Sequence, residues 1–229
     1  MQPVITNGPS HHRLVLGTGN RKKARELAGL LAHLGLQLPT LSDFDDPREV
    51  IEDGTSFGEN ARKKAIEQAL HLRAWVLGED SGLAVDQLDG APGIYSARFA
   101  GPQASDEENN RHLLDSLGAT PLAARTARYV CHMAISDPAG NVRAESEASC
   151  QGRIRMAPAG TNGFGYDPLF EIVEYHRTFG QLGPVVKRLL SHRARATRLL
   201  LPKLEPLVQR GQWRTDDHPP GKSLVRDAR

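Results

Sequence analysis

The stretch "GEDSGLAVDQLDGAPGIYSARFAG", residues 78–101, sets two adjacent carboxylates, Glu79 and Asp80, behind a short apolar run and ahead of Ser81 and Gly82. Asp and Glu are poor strand formers, and neighbouring like charges repel. A site that holds a cation explains such a pair; a solvent-facing acidic turn is its commoner use. Hard cations such as Mg²⁺ take oxygen ligands, typically one or two carboxylates, with waters and substrate phosphates completing the shell. Glu52 opens a second stretch, "EDGTSFGENARKKA" at 52–65. There Ser56 and Glu59 have capping-box spacing, which does not account for Glu52, Asn60 and Lys64 together, although Lys63 and Lys64 also read as a solvated helix face, the usual fate of such a pair. Glu52 and Asp80 together can supply two carboxylates to one ion.

Three further stretches carry groups suited to a polyanionic ligand. "GTGNRKK" at 17–23 lies between a strand and a helix start, where free N–H groups and the positive helix end favour a phosphate. Taken alone it reads more readily as a glycine turn with solvated lysines, because the Walker and dinucleotide glycine spacings are both absent. "GFGYDP" at 163–168 joins two aromatics to flexible glycines, so Phe164 or Tyr166 can stack on a base or close a core edge. "KRLLSHR" at 187–193 spaces Lys187, Ser191 and His192 by about one helical turn, with Arg193 adjacent. A histidine so placed is more often a surface or capping residue than a ligand reader.

The elements that must position these groups follow from periodicity. Residues 13–16 form a strand, and Leu27, Leu30, Leu31 and Leu34 mark one face of a helix that Gly35 stops. A second helix is expected over 56–72, then a strand, "AWVLG", ending at Glu79–Asp80. A third helix starts near Ser105 and runs to Leu117, before Gly118. The two apolar runs flanking "DPAGN" predict a β-hairpin. In the last helical pattern Leu200, Leu204, Leu207 and Val208 recur, and Pro202 and Pro206 are expected to kink or shorten it. Strands alternating with helices around an inserted hairpin indicate an α/β fold with a mixed sheet. We expect a flexible extension over 1–12, a single domain over 13–210 and a disordered polar tail over 211–229.

Composition narrows the function class. With 229 residues, a formal net charge of +2 argues against a dedicated nucleic-acid binder, which concentrates a large basic excess. No apolar run approaches the roughly 18 residues of a membrane span. The amino terminus lacks an apolar signal core, so a cytoplasmic location is expected. Cys131 and Cys150 have no metal-ligand spacing and are too few for a disulfide framework.

Together, and in this order, "TGNRKK", "EDGTSFGENARKKA", "EDSGLAVDQLDGAPGIYSARFAG", "GFGYDP" and "KRLLSHR" resemble the inosine triphosphate pyrophosphatase family, over about residues 13–208. The third and fourth motifs are close to diagnostic. The resemblance implies an elongated, two-lobed α/β fold, with a long mixed β-sheet flanked by helices and a central substrate cleft, usually as a homodimer. It implies Mg²⁺-dependent hydrolysis of nonstandard purine nucleoside triphosphates (ITP, dITP, XTP) to the monophosphate and pyrophosphate, cleansing the nucleotide pool.

Carried onto this chain, the resemblance sets Thr18, Gly19, Asn20 and Lys23 in the triphosphate loop, where Arg21 and Lys22 replace a commoner small pair. Glu52 and Asp80 would hold Mg²⁺, and Asp80 would accept a proton from the attacking water. Ser81 would contact substrate. Phe164, Gly165, Tyr166 and Asp167 would line the nucleoside pocket. Lys187 would reach phosphate, while His192 and Arg193 would read the purine's oxo edge. Besides Arg21 and Lys22, the chain departs from the family pattern in three further places: Glu79 stands where bacterial members usually have aspartate, Ala194 replaces a glycine, and "QLGPVV" lacks the usual acidic residues. Two other classes fit the same residues, a non-catalytic nucleotide sensor and a pyrophosphatase of other modified nucleotides.

Overall fold

The computed structural model describes residues 12–209 and Trp213; the expected extension up to residue 11, and the expected tail apart from Trp213, lie outside the described residues. One mixed sheet of six strands, ordered β1 to β6, organises the described residues. β1 (Val15–Leu16) runs parallel to β2 (Val76–Val85). The neighbours that follow, β3 (Thr126–Ser136), β4 (Val142–Ile154), β5 (Phe170–Ile172) and β6 (Arg177–Thr178), all pair antiparallel. Among the described residues, five α-helices flank this sheet: α1 (Arg21–Leu31), α2 (Phe57–Leu72), α3 (Asp106–Leu117), α4 (Pro184–Leu190) and α5 (His192–Gln209). The expected α/β architecture with a mixed sheet is what forms.

Local chemistry sets the boundaries. The Asn20 side chain accepts from the N–H groups of Lys22 and Lys23 and so starts α1. Ser56 caps α2 through the Glu59 N–H, and Ser105 with Glu108 forms a full capping box on α3. The hairpin turn is held by Asp137 Oδ1, which accepts from the N–H groups of Ala139 and Asn141.

Two expectations are corrected. The strand does not end at Glu79–Asp80 but runs through them to Val85, so both carboxylates sit mid-strand. Tertiary ion pairing overrides their poor strand propensity there. Nor do the prolines shorten α5, which runs through both to Gln209. Leu200 and Leu204 are fully buried in the core, and burying each, at roughly 2 kcal/mol, helps offset the backbone bonds that Pro202 and Pro206 forgo. Beyond the expected domain end, Trp213 is buried, stacks on Trp75 with ring centroids 4.3 Å apart and donates its indole N–H to the Arg13 carbonyl. The packed unit therefore reaches that residue.

The apolar interior divides along β2 and β3. One cluster gathers Leu14, Leu27, Trp75, Leu77, Cys131, Leu200 and Leu204; a second gathers Leu83, Val85, Tyr129, Ile154, Phe170 and Phe179. Between Leu77 and Leu83, on the same face of β2, lie Glu79 and Ser81. The polar site occupies the gap between the two cores.

Candidate functional site

Adjacent side chains on a strand point to opposite faces, so Glu79 and Asp80 are separated by the sheet and their repulsion is relieved. Asp80 faces α2. Gly78, two residues earlier on that face, has no side chain because a Cβ there would collide with the α2 backbone at Ala61 and Ala65. That close approach brings Asn60 and Lys64 over Asp80. Lys64 Nζ lies 3.0 Å from Asp80 Oδ1 and 2.9 Å from Glu52 Oε2. Asn60 Nδ2 donates to Asp80 Oδ2 at 3.2 Å, while its Oδ1 accepts the Gly54 N–H at 2.9 Å. The Arg98 guanidinium donates to the Glu52 carbonyl, so the irregular segment bearing Glu52 is tied down twice.

These contacts move the titrations in opposed ways. Burial alone would pull the Lys64 pKa down, but Asp80 and Glu52 outweigh it and raise it above the usual lysine value. Burial pushes the Asp80 carboxyl above the usual aspartate value, although Lys64 and Lys23 oppose the rise.

On the other face, Glu79 is fully buried. Arg193 Nη2 reaches it at 2.9 Å and Lys23 Nζ at 3.1 Å. Burial pushes its carboxyl up, but those two cations win and hold it well below the usual glutamate range. Arg193 also donates to Ser81 Oγ at 3.0 Å and pairs with Glu26. Glu26 in turn pairs with Lys187 at 2.8 Å, and Lys187 with Asp167 at 2.6 Å. Glu79 is thus the anchor of the arginine expected to read the base, not a partner of Asp80.

A cavity of about 110 Å³ opens on this network. Asn20, Lys23, Ser81, Gly165, Lys187 and Arg193 are among the groups around it, and Phe164, Tyr166, Asp167 and His192 also face it. Lys187 Nζ stands 4.4 Å from the Phe164 ring centroid. His192 is buried and stacked on Tyr129 at 4.6 Å; burial, then Arg193 and Lys187, push its pKa well below the usual histidine value. Among the described residues its Nδ1 has no hydrogen-bond partner. Tyr166 donates to the Ser96 carbonyl at 2.8 Å and belongs to the second core, which leaves Phe164 as the free aromatic.

Not every expected residue joins this cavity. Thr18, Gly19 and Arg21 lie outside its lining, and Thr18 Oγ1 accepts the Asn20 N–H. Lys22 is exposed and leans to Asp106 at 3.4 Å. Glu52 and Asp80 are also outside it, across β2. The two halves meet along an open edge. β1 pairs only with Val76 and Leu77, so beyond Leu77 this edge of β2 has no ladder partner among the described residues up to Leu83, whose N–H is bonded to Ser96 Oγ. Glu26 and Tyr129 escaped the sequence reading: Glu26 stood in a charged helical stretch, three residues after Lys23, and Tyr129 looked like any inward strand residue.

Among the described residues, no group of three or more His, Cys, Asp and Glu side chains is gathered to hold a metal. Glu52 and Asp80 are nevertheless a fitting donor set for a hard divalent cation completed by phosphate oxygens. Their donors are all oxygen, and both already converge on one cationic group. Charge balance points the same way. The ion-paired groups comprise Lys23, Lys64, Lys187 and Arg193 against Glu26, Glu52, Glu79, Asp80 and Asp167, which leaves no positive surplus for a polyanion.

Comparison with known proteins gives a consistent picture. The Ham1 family profile matches residues 14–203. A dITP/XTP pyrophosphatase of Rhodopirellula baltica is 55% identical over 196 residues, covering 86% of this chain and 94% of that one. A dITP/XTP pyrophosphatase of Geobacter sulfurreducens is 47% identical over 188 residues, covering 82% and 94%. Among solved structures, the Staphylococcus aureus Ham1 protein aligns with a TM-score of 0.75 at 36% identity, covering 84% of this chain and 98% of that one. No described helix is long and apolar enough to cross a membrane.

Proposed function

The chain belongs to the Ham1 family, and on that premise we propose that it hydrolyses nonstandard purine nucleoside triphosphates (dITP, XTP and ITP) to the monophosphate and pyrophosphate. The observation that carries this reading is the convergence of Glu52 and Asp80 on one cationic group, beside an open strand edge that leads to an aromatic, cation-lined cavity.

In this reading the base lies against Phe164 and the phosphate chain crosses the β2 edge, past Ser81 and Lys23, toward Asp80. Thr18, Gly19 and Asn20 form the loop at the end of β1 that receives the outer phosphates, with Arg21 and Lys22 at its rim. Glu52 and Asp80 hold Mg²⁺, which when bound offsets phosphate charge and polarises the α-phosphorus. Asp80 orients the attacking water and accepts its proton. The water oxygen bonds to the α-phosphorus, the bond to the β-phosphate bridge breaks, and pyrophosphate leaves.

Selectivity falls to His192 and Arg193. A 6-oxo purine offers an acceptor to their donors, whereas adenine offers a 6-amino donor and leaves groups unmatched, at about 1–3 kcal/mol each. Lys187, held by Glu26 and Asp167, is available to phosphate or base oxygen. A homodimer, residence in the cytoplasm and a single domain reaching at least Trp213 complete the reading.

Pyrophosphate release from ITP, dITP, XTP, ATP, GTP and a pyrimidine triphosphate, with and without Mg²⁺, tests it. Release confined to the first three and dependent on Mg²⁺ is expected. Binding without release would mark a sensor, and equal rates on pyrimidines would mark a broader pyrophosphatase.

A further inference from the structure

Phe164 lies in a loop without regular structure, yet the backbone around it is bonded at four points, one of them its own carbonyl accepting the Asp167 N–H at 3.2 Å. Asp167 Oδ2 accepts the Phe164 N–H at 2.7 Å. One residue on, Gly165 donates its N–H to Asp106 Oδ2 at 2.9 Å, and its carbonyl accepts from Asn110 Nδ2 at 3.0 Å. Asp106 and Asn110 are four residues apart on α3 and share one helix face. Both backbone groups of Gly165 are therefore taken by a single helical turn. Gly165 itself has φ of 60°, the left-handed region that favours glycine.

The helix supplying these contacts is well fixed. Its capping box closes the first turn, and Leu113 and Leu117 are buried in the second core. Buried Asn109 accepts the Ala100 N–H and donates to the Ala97 carbonyl, which ties the start of α3 to the segment before it. The Asp106 oxygen that holds Gly165 also lies 3.4 Å from Lys22 Nζ, and that ammonium is 5.7 Å from the Phe164 ring centroid. One carboxylate thus touches both the loop that carries the aromatic and the loop expected to take phosphate.

We propose that Asp106 and Asn110 are positioning residues for substrate binding: through Gly165 they set the placement of the Phe164 ring, and through Lys22 Asp106 ties that ring to the phosphate loop. The proposal rests on the reading of Phe164 as the wall that stacks on the base. Neither residue transfers a proton or meets the reacting phosphorus, so their loss acts on binding.

Steady-state kinetics with ITP on Asn110→Ala, Phe164→Ala and the double variant test this. Asn110→Ala is expected to raise KM about fivefold, the change that losing one hydrogen bond of about 1 kcal/mol produces, with kcat within about twofold. In the Phe164→Ala background the same change should add nothing to KM, because no ring is left to place. Asp106→Asn keeps an acceptor for Gly165 but frees Lys22 toward the phosphates, and should make KM more salt-dependent than in the parent; an unchanged salt dependence removes the tie through Lys22. If Asn110→Ala folds poorly by thermal melting, Asn110→Asp, which sets a carboxylate against the Gly165 carbonyl, must raise KM instead. An unchanged KM in the folded Asn110 variant, or effects that multiply in the double variant, overturn the proposal. An unchanged KM in Phe164→Ala alone strikes down the stacking reading, and the proposal with it.

Discussion

Glu52 and Asp80 are joined through one ammonium: Lys64 Nζ lies within 3.0 Å of a carboxylate oxygen of each. One donor comes from an irregular segment and the other from the middle of a central strand, and the cation between them prevents their mutual repulsion.

Lys64→Ala should therefore leave two facing carboxylates uncompensated. Removing one member of a fully buried pair costs about 3–5 kcal/mol, and because Glu52 is a third exposed and partly screened by solvent, a smaller loss of about 2–3 kcal/mol is expected. Urea denaturation measures the loss. Added Mg²⁺ should restore part of it, and stability that ignores Mg²⁺ would separate this pair from metal binding.

Asp80→Asn keeps the Asn60 contact geometry and removes the base and one charged donor. Turnover of ITP should fall about 10³-fold, within the range for a positioned acid–base group, with no loss of fold by circular dichroism. A rate near that of the parent would remove Asp80 from catalysis.

Arg193→Ala tests the other face. It leaves fully buried Glu79 with Lys23 as its remaining cation, and the expected loss is about 3 kcal/mol of stability together with weaker binding. Glu79→Gln in the same background should recover part of that stability without recovering selectivity, since the under-compensated charge is gone but the donor to the base is not replaced.

His192 is held neutral by burial and by the nearby cations. Its folded pKa lies below the unfolded value of about 6.5, so the unfolded chain takes up the proton first and stability falls as pH drops below about 6.5. His192→Gln should make the stability–pH slope shallower there, by up to about 1.4 kcal/mol per pH unit, in urea titrations at pH 5, 6 and 7. The same variant should narrow the preference for ITP over ATP about fivefold, the worth of one unmatched group.

Trp213→Ala removes a buried indole that stacks on Trp75, and should cost about 3 kcal/mol with kinetics unchanged. Loss of activity without loss of stability would place this residue in function instead.

How much was legible in the sequence varies with the range of the interaction. Helix starts at Ser56 and Ser105 were readable, because a cap involves only three or four neighbouring residues. The hairpin around "DPAGN" was readable for the same reason. The extent of β2 was not: propensity stops a strand at Glu79–Asp80, and only Arg193, Lys23 and Lys64, brought in from α5, α1 and α2, make it continue.

By itself the sequence determined the α/β order of elements, the family and the residue types of the site, since these rest on local periodicity and on motif order. Only the tertiary structure decided that Glu79 and Asp80 serve opposite faces, that Lys64 joins Glu52 to Asp80, and that Glu26, Asp106 and Asn110 belong to the site's framework. Charge pairing acts across space, and a one-dimensional pattern of charges does not say which cation will reach which carboxylate.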